Sequence, residues 1–183
     1  MNLHSLAFIA LGSNLGTSET SVRRAMDQLE QFSAKPLLRS SLWQTTPLDC
    51  PPDSPRFVNA VAGLTPRHEE SPESLLKKLQ EMEIEAGRPA KRAKNAPRPL
   101  DLDLLTFADE IRNTAQLVLP HSRAQQRRFV LQPLAEIAPE FTFPGARKTR
   151  PPSAPSGTTC KRRGADTHVC SAETRLGASV VGG

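Results

Sequence analysis

Residues 98–107 read RPLDLDLLTF, and this alternation of leucine with aspartate most restricts how the chain can fold. In a β-strand, side chains two residues apart lie on the same side. The leucines at alternate positions therefore face a core, whereas Asp101 and Asp103 project together from the opposite face. The segment predicts a strand that places two carboxylates side by side at the surface of a sheet.

Two interpretations of this carboxylate pair are open. Like charges repel and raise each other's proton affinity, so a cation should neutralise them. Ion pairs with Lys or Arg on a solvated strand face would do so, as would a hard divalent cation such as Mg²⁺, which often combines one or two carboxylates with substrate phosphates. A basic loop upstream suits polyphosphate binding but fits a solvated loop equally well; its cations are Arg88, Lys91, Arg92, Lys94 and Arg98.

The rest of the chain predicts an α+β sandwich, with helices packed on a mainly antiparallel sheet. Apolar spacing and turn signals divide the sequence into alternating elements. Two proline-rich loops, at 46–57 and 88–99, separate some of them. The predicted elements are strand 6–11, a helix from Thr17 or Ser18, strand 37–45, strand 57–64, a helix from Ser71-Pro72 to Gly87, strand 100–107, a strand pair within 111–120, and a helix over 122–137 interrupted near Pro133.

The positive charge lies at the C-terminal end of the chain. Residues 147–183 contain seven basic and two acidic residues, which account for the whole net charge of +5. Residues 1–146 are neutral, whereas a groove-binding nucleic-acid domain should itself have a basic stripe. We therefore expect a domain at 1–146, no nucleic-acid partner, and a basic, disordered tail at 147–183, rich in Pro, Gly, Ser and Thr.

Composition also limits location. No apolar run approaches 18 residues, so we expect no membrane span. The three cysteines do not make a disulfide framework, which favours a cytoplasmic location. Cys160, His168 and Cys170 follow no zinc-site spacing that would predict a metal in the tail.

Five segments in order, IALGSNLG, FVNAV, PRPLDLDLL, LPHSR and RRFVLQPLAEIAPEF, resemble the 6-hydroxymethyl-7,8-dihydropterin pyrophosphokinase family of folate biosynthesis. The resemblance spans about residues 6–145. It implies a ferredoxin-like α+β fold and transfer of pyrophosphate from ATP to the hydroxymethyl oxygen of the dihydropterin, with release of AMP. A non-catalytic pterin- or nucleotide-binding relative is the alternative.

The resemblance also implies roles at the phosphate end of the site. Asp101 and Asp103 resemble the ligands of two Mg²⁺ ions that bridge the ATP phosphates. Arg88 and Arg98 resemble catalytic arginines that reach these phosphates and close the site. Further positions that resemble ATP contacts are Gln80, Glu83, His121 and Arg127, of which His121 could instead be only a helix-start residue.

Other positions resemble a pterin site. Phe57 and Phe129 resemble an aromatic pair that sandwiches the flat ring, and Asn59 offers both a donor and an acceptor to its pyrimidinone edge. Taken singly, both phenylalanines could be core residues and Asn59 could cap a strand end. Backbone contacts to the ring are implied for Thr45, Thr46 and Leu48.

The basic loop departs from the family pattern at two places. Ala90 replaces a common loop arginine, and Asn95-Ala96 replaces a frequent Trp-Gly. These changes bear on loop closure and turnover rate and motivate the binding-only alternative. We expect a monomer that binds small-molecule substrates.

Overall fold

A computed structural model describes residues 2–46, 55–87, 98–145 and 173–175 of the chain. Within these ranges there are three α-helices, two short 3-10 turns and eight strands. The helices are α1 (Ser18–Glu30), α2 (Pro72–Glu85) and α3 (Arg128–Ile137), and the 3-10 turns are Leu3–Ser5 and Ala124–Gln126. The strands are β1 (Ala7–Ser13), β2 (Leu38–Arg39), β3 (Trp43–Thr45), β4 (Phe57–Leu64), β5 (Asp101–Phe107), β6 (Arg112–Asn113), β7 (Val118–Leu119) and β8 (Glu173–Arg175).

The described strands form one antiparallel sheet of six strands and a small hairpin. The sheet order is β5-β1-β4-β3-β8, and β2 also pairs with β4, while β6 and β7 form the hairpin. β1 is paired on both edges, with β4 on one side and β5 on the other. The prediction of an α+β fold with helices on a mainly antiparallel sheet is confirmed.

Both faces of β1 are covered. Ile9 and Leu11 belong to a core cluster formed with α1 and α2. Phe8 and Ala10 point the other way, into a second cluster that includes Val130 and Leu134 of α3; we call this the α3 cluster. Because each face has its own helices, all seven residues of β1 are buried.

The predicted start of α2 is confirmed. The Ser71 hydroxyl accepts a hydrogen bond from the Ser74 amide at 3.1 Å, and the Ser74 hydroxyl accepts one from the Ser71 amide at 3.0 Å. Pro72 occupies the first helical position, where its missing amide hydrogen costs nothing. Gly87 follows the helix with φ of +94°, a conformation that glycine adopts without steric cost.

The prediction of one continuous strand over 37–45 was wrong. β2 ends at Arg39 and β3 begins at Trp43. Between them, Ser40 exchanges hydrogen bonds with Val61 of β4 through its hydroxyl at 2.9 Å and its amide at 3.0 Å. A side-chain hydroxyl that takes the place of a backbone acceptor interrupts the regular ladder, which sequence alternation cannot reveal.

The helix over 122–137 is interrupted, but not near Pro133 as predicted. A 3-10 turn comes first, Arg127 is extended with φ of −107° and ψ of 106°, and α3 then runs through Pro133 without a break. The proline removes one helical hydrogen bond. Its ring is buried, as is Leu134 beside it, and burial of this apolar surface offsets part of that loss.

Within the segment 147–183, which was predicted to be a disordered tail, the structure describes three residues. Glu173–Arg175 form β8, which pairs antiparallel with β3 from Trp43↔Arg175 to Thr45↔Glu173. Three residues have no measurable apolar period, so composition could not predict this strand. The division into a domain at 1–146 and a tail stays a prediction.

Leu79 and Ile84 provide a matched test of the core on α2, since Leu79 is fully buried and Ile84 is 65% exposed. We expect Leu79→Ala to lower the free energy of unfolding by about 2–5 kcal/mol, because it leaves a cavity against the sheet. Ile84→Ala should change it by less than about 0.5 kcal/mol. Urea unfolding measures both, and equal losses would contradict the packing described.

Candidate active site

Polar side chains lie at one end of the sheet, on the same face against which α3 packs. Asp103 lies beside Ala10 of β1 and Asp101 beside Gly12. On the other edge of β1, Gly12 pairs with Asn59. Because opposed residues of antiparallel strands share a face, the two aspartates and Asn59 lie on the side of Ala10, which is part of the α3 cluster.

Each aspartate has an arginine as its counter-ion. The Arg98 guanidinium lies 3.3 Å from Asp101 Oδ2, and that of Arg127 lies 3.3 Å from Asp103 Oδ2. All four side chains are partly buried, so these pairs are less screened than fully exposed ones. The ion pairs that the sequence left open are therefore present in this structure, and the magnesium interpretation stays a prediction.

The same two arginines also lie over the two candidate stacking phenylalanines. Arg98 is 5.7 Å from the centre of the Phe57 ring, and Arg127 is 5.4 Å from that of Phe129. Both distances are within the range of cation–π attraction. The site thus contains two similar clusters, each with a phenylalanine, an arginine and an aspartate.

Asn59 and Thr45 form a buried, hydrogen-bonded polar pair on the same face of the sheet. Asn59 Nδ2 donates to Thr45 Oγ1 at 2.7 Å, and both residues are buried. A Cβ at Gly12 would come within 3.2 Å of Asn59 Oδ1, so glycine leaves room for this amide. Thr46 follows at the exposed end of β3. The structure therefore brings Phe57, Asn59 and Thr45 together.

His121 is placed by the irregular end of β5. The β1–β5 register shifts at Phe8 and Ile9, leaving Leu105 as the extra residue, and its carbonyl accepts the His121 amide at 2.8 Å. Burial lowers the pKa of His121. The Asp103 carboxylate raises this pKa in part, and the positive charge of Arg127 lowers it further. His121 Nδ1 accepts the Arg123 amide at 3.3 Å, so the neutral ring has its proton on Nε2, as a donor.

Gln80 and Glu83 lie on the same helix but in different environments. Gln80 is exposed. Glu83 is buried, and its Oε1 accepts the amide of Leu102, the residue between the two aspartates, at 2.9 Å. β5 is an edge strand of the sheet, and this carboxylate supplies an acceptor that no neighbouring strand provides there. Glu83 therefore fixes β5, a role that the sequence did not predict.

Two predicted site residues, Arg88 and Leu48, lie outside the described residues, as do Ala90 and Asn95-Ala96. Among the described residues, no group of three or more His, Cys, Asp or Glu side chains could hold a metal. Asp101 and Asp103 as metal ligands stay a prediction from the sequence. No helix in the described ranges is long and apolar enough to cross a membrane.

The chain is similar to known proteins over most of its length. The 7,8-dihydro-6-hydroxymethylpterin-pyrophosphokinase family model matches residues 8–139. The chain is 40% identical over 141 residues to the 2-amino-4-hydroxy-6-hydroxymethyldihydropteridine pyrophosphokinase of Pseudomonas aeruginosa. The alignment covers 76% of this chain and 85% of the Pseudomonas aeruginosa protein. The enzyme of the same name from Bacillus subtilis is 39% identical over 136 residues, covering 74% and 79%.

The chain belongs to the 7,8-dihydro-6-hydroxymethylpterin-pyrophosphokinase family. It is also 35% identical over 130 residues to a folate synthesis bifunctional protein of Arabidopsis thaliana, covering 70% of this chain and 26% of the plant protein. The predicted activity, ATP-dependent pyrophosphoryl transfer to hydroxymethyldihydropterin in folate synthesis, is confirmed at the level of the family.

The structure adds supporting residues of this pyrophosphokinase that the sequence did not indicate. Glu136 of α3 accepts hydrogen bonds from the Trp43 indole at 3.2 Å and from the Ser41 hydroxyl at 2.6 Å. It thereby ties α3 to β3, the strand that ends at Thr45. Asn14, within the GSNLG motif, contacts the backbone of Arg98. Only the motif itself signalled Asn14, and nothing in the sequence signalled Glu136.

The environment of His121 predicts that two substitutions shift its pKa in opposite directions. In the metal-free protein its pKa lies below 6.5. Between that lowered pKa and about 6.5 the unfolded chain binds more protons, so stability from the neutral ring is present above about pH 6.5 and is lost as pH falls through the lowered pKa. By NMR, Asp103→Asn should lower the imidazole midpoint further and Arg127→Gln should raise it. Shifts in the same direction would contradict this placement.

Proposed function

We propose that ATP binds with its phosphates at Asp101 and Asp103 and that the dihydropterin binds beside Asn59, in the same cleft. The hydroxymethyl oxygen then attacks the β-phosphorus, the bond from that phosphorus to the α-phosphate oxygen breaks, and AMP leaves with the hydroxyl proton released. The two arginine–aspartate–phenylalanine clusters on one sheet face are the observation that supports this most strongly.

The two aspartates suit Mg²⁺. They offer hard oxygen ligands and lie on one face of β5, and they would need another cation once Arg98 and Arg127 turn to phosphates. Two carboxylates without further acidic or histidine ligands in the described ranges suit a cation whose remaining ligands are phosphate oxygens and water. Mg²⁺ bound there would neutralise phosphate charge and align the β-phosphorus for in-line attack.

The remaining groups at this end are donors to phosphate oxygens. Arg98 and Arg127 present guanidinium groups, which recognise phosphates through paired hydrogen bonds. Neutral His121 offers Nε2–H without adding a full charge. As phosphates approach, each arginine exchanges its carboxylate for a phosphate, and the aspartate becomes available to the metal.

The same movement opens the pterin end. An arginine lies over Phe57 and another over Phe129, and in this proposal each covers the ring face on which the pterin stacks. Phosphates that draw both guanidinium groups away uncover the two rings for the pterin, whose edge then meets the Asn59 amide. Arg88 and Leu48 belong to this proposal on the basis of the sequence alone. Gln80 and Thr46 belong to it as well, and both are exposed, so a substrate could reach them.

Removing either carboxylate tests the metal site. We expect Asp101→Asn and Asp103→Asn each to reduce Mg²⁺-dependent AMP formation at least about 100-fold, since the metal's charge stabilisation is worth several kcal/mol. Chromatography measures AMP, and circular dichroism confirms folding. Asp109→Asn is the control, because Asp109 is an exposed carboxylate that pairs with His4 away from the cleft. Near-native activity in either site variant would refute the assignment.

Arg127 competes with a metal for Asp103, so its removal should strengthen metal binding. Without nucleotide, Arg127→Gln should bind Mn²⁺ up to about fivefold more tightly, as expected from losing one partly exposed ion pair. Electron paramagnetic resonance of free Mn²⁺ measures this. Arg123→Gln removes the same charge from an exposed neighbour and should have a smaller effect. Weaker Mn²⁺ binding in Arg127→Gln would contradict the competition.

The binding-only alternative rests on the sequence of the loop, where Ala90 and Asn95-Ala96 depart from the family. Binding of ATP and pterin by folded protein without AMP formation would support it over catalysis. The monomeric state, the cytoplasmic location and the absence of a nucleic-acid partner remain predictions. Salt-sensitive nucleic-acid binding that survives removal of residues 147–183 would contradict the last of these.

A further inference from the structure

Asn14 makes a reciprocal contact with the backbone of Arg98. The Asn14 side-chain Oδ1 accepts a hydrogen bond from the Arg98 backbone amide at 2.9 Å. The Asn14 backbone amide donates one to the Arg98 carbonyl at 3.2 Å. Asn14 is buried, with 2% of its surface exposed. One short amide side chain and its backbone therefore fix both polar groups of the Arg98 peptide.

This contact lies beyond the regular ladder. The last β1–β5 pair joins Gly12 to Asp101, and β5 begins at Asp101. Arg98 is three residues outside that pair, so ladder hydrogen bonds do not set its position. The two hydrogen bonds to Asn14 hold Arg98 to the end of β1.

The position of the Arg98 backbone decides what its side chain can reach. From there the guanidinium lies 3.3 Å from Asp101 and 5.7 Å from the Phe57 ring centre. Its Nε is buried and has no hydrogen-bond partner in the described part of the chain. A buried donor without a partner is costly, and a ligand oxygen would satisfy it.

We infer that Asn14 is a positioning residue that holds Arg98 where its guanidinium serves both the phosphate end and the pterin end of the site. The inference deepens the proposed function and rests on it. Asn14 touches neither substrate and acts only through Arg98. Its loss should therefore matter only while the Arg98 side chain is present.

The test is a double-mutant cycle. We expect Asn14→Ala to lower kcat/KM for ATP about tenfold in AMP formation, and to have no further effect in the Arg98→Ala background. Asn14→Asp keeps the Oδ1 acceptor for the Arg98 amide and should recover most of the loss. Equal tenfold losses in both backgrounds would show a merely structural role and would overturn the inference.

Ser13→Ala is the matched control. Ser13 is adjacent, fully buried, and its hydroxyl has no hydrogen-bond partner within the described ranges, so removing that oxygen breaks no contact. Its kcat/KM should stay within about twofold of wild type. A tenfold loss in Ser13→Ala would mean that any change at the end of β1 perturbs the site, and would count against Asn14.

Hydrogen exchange separates this inference from the proposed function. By NMR, the Arg98 amide should exchange at least about tenfold faster in Asn14→Ala than in wild type, with Asn14→Asp close to wild type. Absence of AMP from folded wild-type protein would defeat the proposed function while leaving this readout valid. Unchanged exchange at Arg98 in Asn14→Ala would defeat the positioning role even in an active enzyme.

Discussion

β1 is hydrogen-bonded along both edges and buried on both faces, and the two long strands β4 and β5 take their registers from it. β4 and β5 can flank it only in the registers that keep Ile9 and Leu11 toward α1 and α2 and Phe8 toward α3. A slip of one residue would turn every apolar side chain to the wrong core. The two cores therefore fix the sheet, and the sheet fixes the site at its end.

The electrostatic arrangement of the site follows from that geometry. Register places Asp101 and Asp103 on one face, close enough that their charges need cations. Arg98 and Arg127 supply these charges from two different segments, and both also contact a phenylalanine ring. In the proposed function, substrate phosphates and metal ions replace contacts that the chain already makes, which would link binding at one end of the cleft to access at the other.

Local patterns in the sequence predicted much of the fold. The alternation in 100–107, the apolar run at 6–11 and the Ser71-Pro72 helix start each gave the correct element, because each signal lies within a few adjacent residues. The break at Ser40, the continuity of α3 through Pro133 and the pairing of Glu173–Arg175 did not follow from local pattern. The break and the pairing each involve a partner distant in the chain, namely Val61 and β3, and Pro133 is buried within the folded chain.

The sequence by itself determined the family, the α+β class and the residue types of the site, because these depend on composition, period and ordered motifs. Only the tertiary structure decided which groups meet. It paired each aspartate with one arginine, buried Glu83 against Leu102, and brought Asn14 to the Arg98 peptide, 84 residues away in the chain. Such contacts depend on strand register and helix packing, which no local pattern of residues specifies.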